Sequence, residues 1–73
     1  MGKVIFTKDH KLIIEKLKQA RNDAKLSQYQ VAKKMDRTQS YVSKIESGQR
    51  RVDVIQLKEF AKIYKKDIGY FLN

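Results

Sequence analysis

Apolar side chains recur at Ile13, Ile14, Leu17, Ala20 and Ala24, the i, i+3, i+4, i+7 spacing of one helix face. The pattern predicts a first amphipathic helix over about 9–24, capped by Thr7 or Asp9. Ser27-x-x-Gln30 is a capping box, in which the Ser oxygen takes an orphan N–H while the Gln reaches back to the cap. It opens a second helix that buries Val31, Ala32 and Met35. This run should end near Asp36-Arg37, since Asp enters the left-handed conformation of a sharp turn more readily than most residues. Thr38 caps a third helix over 38–47, and Gly48 stops it from the left-handed position that costs glycine nothing. Asp53 with Gln56 repeats the capping box and starts a fourth helix with the inward stripe Leu57, Phe60, Ala61 and Tyr64. Asp67 begins a last short segment, 68–72, too apolar to be wholly exposed.

Five short helices and no convincing strand predict an all-α domain over residues 1–73. Residues 1–8 read as an N-terminal extension, whose Val4-Ile5-Phe6 run suits either a lone strand or a clamp over the core. No repeat, low-complexity tract or linker interrupts the chain.

On a helical wheel the third helix divides by chemistry. Gln39, Ser40, Ser43, Lys44 and Ser47 fill one arc; Tyr41, Val42 and Ile45, with Glu46 at the margin, fill the other. A solvated face more usually carries Lys and Glu as i, i+4 pairs. This one carries amides and hydroxyls, the groups that pair with base edges, although a neutral surface helix would show the same arc. The first helix holds a second anomaly, Arg21, which lies between Leu17 and Ile14 inside the apolar stripe. A buried charge needs a partner, and a guanidinium and a carboxylate satisfy one another through two hydrogen bonds. The expected result is a structural ion pair between Arg21 and Glu46.

The formal charge is +9, from 17 Lys and Arg against 8 Asp and Glu, with the excess centred between Lys16 and Arg51. Such a balance points to a polyanionic partner, nucleic acid first and an anionic membrane surface second. No apolar run reaches the roughly 18 residues of a membrane span. Without Cys there is no disulfide or thiolate site, and the single His10 cannot build a metal site alone, so neither metal nor cofactor is expected. A cytoplasmic protein fits these features. The acids are scattered as caps and surface charges and His10 has no triad, so no enzyme is expected either.

Ser27-Gln28, Ala32, Tyr41-Val42-Ser43-x-Ile45-Glu46-x-Gly48 and Leu57-x-x-Phe60-Ala61 resemble the phage-repressor, or XRE-type, helix-turn-helix family, over about 12–72. The resemblance implies a compact five-helix bundle of the lambda-repressor-like type, with the helix-turn-helix at 28–47, that binds an operator in double-stranded DNA as a dimer with its third helix in the major groove. It implies that Thr38, Gln39 and Ser40 meet base edges first, with Ser43 and Lys44 one turn later. It further implies that Gln28 holds a phosphate at the start of the second helix and that Arg50 and Arg51 flank the same backbone. Many family members carry a matching buried ion pair at Arg21 and Glu46. Two positions depart from the pattern. Asp36 stands where glycine is usual, and Arg37, where a small or apolar residue is common, adds a charge within reach of a phosphate.

The expected function is a sequence-specific regulator, more simply a repressor than an activator, acting on an inverted-repeat operator. With no small-molecule effector domain, switching falls to concentration, a partner or competition at the site. The alternative is an antitoxin or adaptor that mainly holds a protein partner, for which the apolar chain ends speak. Ile68, Phe71 and Leu72 are the expected homodimer surface, since a bulky apolar terminal helix either docks on its own domain or meets its symmetry mate.

Overall fold

The computed structural model describes residues 8–72; Val4-Ile5-Phe6 and the cap candidate Thr7 lie outside the described residues. Five α-helices follow in order: α1 (Lys8–Asp23), α2 (Gln28–Met35), α3 (Gln39–Glu46), α4 (Val54–Tyr64) and α5 (Ile68–Leu72). Asp9 sits within the first turn of α1 rather than ahead of it.

Side-chain chemistry sets three of the helix starts. Ser27 accepts from the Gln30 N–H at 3.1 Å while the Gln30 side chain accepts from the Ser27 N–H at 2.8 Å, which completes the box at α2. Asp53 and Gln56 do the same at α4, at 2.8 and 2.9 Å. Thr38 stands just outside α3 and accepts from the Tyr41 N–H at 3.2 Å. Caps of this kind are each worth about 1 kcal/mol.

The helix ends follow a single rule. After each of α1 to α4 comes one residue with left-handed φ: Lys25 (58°), Asp36 (59°), Gly48 (84°) and Lys65 (57°). The chain then folds back, as where the Arg37 N–H reaches the Ala32 carbonyl at 2.9 Å and the Lys66 N–H reaches the Ala61 carbonyl at 2.9 Å. Only Gly48 adopts this conformation freely; the other three absorb a steric cost of roughly 1–2 kcal/mol per residue.

Leu17 and Ala20 of α1, Val31 and Ala32 of α2, Val42 and Ile45 of α3, and Leu57, Phe60, Ala61 and Tyr64 of α4 meet in one core with Tyr41 and Phe71. Complete burial of a side chain such as Leu17, Ile45 or Phe60 contributes about 1.5–3 kcal/mol. Met35, expected inside, is half-buried against this cluster. α2 and α3 pack closely on each other, and α1 lies across α3, α4 and α5. The two short helices therefore form a unit whose inner side is fixed by α1.

Phe71 requires a correction. It is 1% exposed and belongs to the core of its own chain, so it is no part of an outer dimer surface. The reason is the docking of α5 on α1 and α4, which turns Phe71 inward, leaves Ile68 half-buried at the core margin and puts Leu72 outside at 59% exposure.

Candidate nucleic-acid interface

α3 is anchored from beneath. Arg21 donates to Glu46 through Nε (2.8 Å to Oε2) and Nη2 (3.1 Å to Oε1), and its Nη1 donates to the Leu26 carbonyl at 3.0 Å. Gln28 adds a bond that the sequence did not suggest: its Nε2 donates to Glu46 Oε1 at 3.0 Å. One carboxylate thus ties the end of α1 and the start of α2 to the last turn of α3. The hydrogen bond to Glu46 raises the Arg21 pKa further and burial only partly opposes it, so the guanidinium stays charged. Burial pushes the nearby Tyr64 phenol well above the usual tyrosine range; the Glu46 charge acts in the same direction and Arg21 against it. Tyr64 is therefore a neutral hydroxyl over the pair.

This anchoring fixes which side of α3 meets solvent. Tyr41, Val42, Ile45 and Glu46 are buried, whereas Gln39, Ser40, Ser43 and Lys44 are exposed, as is Thr38 at the cap. Seven residue steps lead from Gln39 to Glu46, about 10 Å along the axis. The exposed arc is thus one short ridge of amide, hydroxyl and ammonium groups.

Cations collect around the ridge. Arg37, Thr38, Ser40, Lys44 and Arg50 line one open cleft of about 390 Å³, together with Asp36 and Tyr41. Arg50 and Arg51 line a second with Val52, Asp53 and Gln56 at the start of α4. Gln28 lies apart from both, joined to the other end of α3. One Nε2 hydrogen of Gln28 is engaged by Glu46; the second, with the Gln28 and Tyr29 backbone N–H groups of the first turn, has no intrahelical acceptor. Chemically, the arrangement offers hydrogen-bond donors and acceptors on a helix narrow enough for a major groove, flanked by fixed positive charge.

Two surface features escaped the sequence reading. Val54 and Ile55 are 64% and 71% exposed at the start of α4, where they lie beyond the edge of the core. The Tyr41 ring carries the Arg37 and Arg50 guanidiniums, 4.7 and 5.1 Å from its centroid. Periodicity places Tyr41 inward but says nothing about which side chains from neighbouring loops reach its face. Among the described residues no group of His, Asp and Glu could hold a metal ion, and no helix is long and apolar enough to cross a membrane.

Residues 17–71 match the family model described as helix-turn-helix. No curated protein matches the chain.

Proposed function

The chain belongs to the XRE-type, lambda-repressor-like helix-turn-helix family, a family of DNA-binding transcription regulators, and on that premise we propose that it is a cytoplasmic repressor that binds an inverted-repeat operator in double-stranded DNA as a homodimer. The observation that carries the reading is the division of α3: the same eight residues bury Tyr41, Val42 and Ile45 and expose Gln39, Ser40, Ser43 and Lys44. Lodged in the major groove, Thr38, Gln39 and Ser40 meet base edges first and Ser43 and Lys44 follow one turn later. Gln28, Arg37, Arg50 and Arg51 hold the phosphates on either side, which sets register without reading sequence.

Dimerisation is supported by exposed apolar side chains. Leu72 and half-buried Ile68 on α5 remain from the expected surface, and Ile55 lines an open groove with Ile68. A two-fold axis through such a patch sets two α3 helices about 34 Å apart, one turn of DNA. The same side chains also suit the second reading, an antitoxin or adaptor that clasps a protein.

Selection of bound duplexes from a random pool tests the proposal. The expected product is an inverted repeat with half-site centres about one helical turn apart. Enrichment of no sequence over the starting pool overturns sequence-specific binding, and a single unrepeated half-site overturns the dimer.

A further inference from the structure

Arg37 and Arg50 come from different turns, one between α2 and α3 and one after α3, yet both guanidiniums lie on the ring of Tyr41. Two cations sharing one ring sit within about one Debye length at 0.1 M salt, roughly 10 Å. Lys44 adds a third positive charge to the same cleft. Asp36 also lines it, but among the described residues neither guanidinium has a carboxylate within ion-pair distance. The ring face attracts each guanidinium but leaves their in-plane N–H donors unengaged. Tyr41 itself is 7% exposed and part of the core, so this platform is fixed relative to the reading helix.

Two guanidiniums on one ring, at exposed positions beside an open cleft and with no ion-paired carboxylate among the described residues, suit one tetrahedral anion whose oxygens accept from both. We propose that Arg37, Tyr41 and Arg50 form a single preassembled seat for one DNA phosphodiester, with Tyr41 as the positioning residue for both arginines. The inference rests on the DNA-binding reading above and adds that the two arginines take the same phosphate rather than one each. It also gives Arg37 a role: from the turn between α2 and α3 it lays its guanidinium on Tyr41 and supplies half of the seat.

The test is the salt dependence of binding to a labelled random-sequence duplex, followed by anisotropy. Each neutralised phosphate contributes about 0.9 to the slope of log K against log salt. With one shared phosphate, Arg37→Leu and Arg50→Gln should each flatten the slope by less than about 1, because the remaining arginine still neutralises it, and the double variant by about 1 in all. Tyr41→Leu should flatten it by the same amount with both arginines in place. Tyr41→Phe should restore it, because the ring is kept and the buried Tyr41 hydroxyl has no hydrogen-bond partner to lose among the described residues. Should Tyr41→Leu fail to fold, the arginine variants decide alone, since both positions are exposed. A double variant flattened by about 2 overturns the shared seat, as does a double variant whose slope is unaltered. If the unmodified protein binds no duplex, the DNA reading itself falls and the seat falls with it.

Discussion

The two faces of α3 treat polar groups in opposite ways. On the inner face Glu46 is 6% exposed and each oxygen has a partner: Oε2 accepts from Arg21, and Oε1 accepts from Arg21 and Gln28. On the outer face no protein hydrogen bond or ion pair engages the side chains of Gln39, Ser40, Ser43 or Lys44 among the described residues. Water satisfies such groups at the surface, whereas a buried charge has only the protein. The polar residues inside therefore fix the fold, and those outside are free to choose a ligand. Substitutions on the two faces should separate into effects on stability and effects on binding.

The largest effect belongs inside. Glu46→Ala strands the Arg21 guanidinium, whose side chain is 17% exposed, and should lower stability by about 3–5 kcal/mol in urea denaturation. A small domain has only about 5–15 kcal/mol to lose, so the melting temperature should fall steeply. An unchanged melting temperature would show that Arg21 reaches water without help and that the inner face of α3 does not depend on the pair.

That inner face was legible in the sequence because charge burial is a demand the wheel can state: Arg21 fell within an apolar stripe and Glu46 at the margin of another, and each needed the other. The three capped helix starts were legible for a similar reason, since Ser27, Thr38 and Asp53 act on their own backbone three residues ahead. Less could be read where the decisive contact is distant or the residue type is indifferent. Lysine carries no signal for a left-handed turn, so Lys25 and Lys65 gave no warning of one, whereas Asp36 and Gly48 did. Phe71 could have faced a second copy or its own core; the packing of α5 on α1 and α4 decides it. Gln28 reads from the sequence only as a phosphate-holding amide at a helix start, and its bond to Glu46 spans 18 positions. The Tyr41 platform combines both difficulties, with an inward ring met by side chains from two turns.

A second, smaller effect belongs outside. Gln39→Ala should weaken binding to a selected operator by about 1–3 kcal/mol while leaving random-sequence DNA nearly unaffected. Its melting temperature should hardly move, because an exposed side chain without a protein partner changes stability by only about 0.5 kcal/mol. Equal losses on operator and random duplex would assign Gln39 to the backbone and deprive the outer face of its reading role. A large fall in stability would mean that the two faces are not separable at all.

The smallest effect tests whether a ring with two cations is by itself a sign of a ligand. Tyr70 carries the Lys16 and Lys66 ammonium groups at 5.1 and 4.7 Å, close to the distances at Tyr41. There, however, Asp23 stands 3.7 Å from Lys66, on the seam where α1 meets α5, and supplies a counter-charge from within the fold. The cations are also lysines, point charges without the fork that would grip an anion with two parallel bonds. Asp23 is about half exposed, so solvent screens its pair with Lys66, and Asp23→Asn should change stability by less than about 1 kcal/mol. The salt slope of DNA binding should stay where it was, since nothing near Tyr70 is assigned to a phosphate. A slope that steepened by about 1 on removing that carboxylate would mean the lysines had become a phosphate site. Compensation by a nearby acid, rather than the choice of arginine over lysine, would then be what separates the two tyrosines.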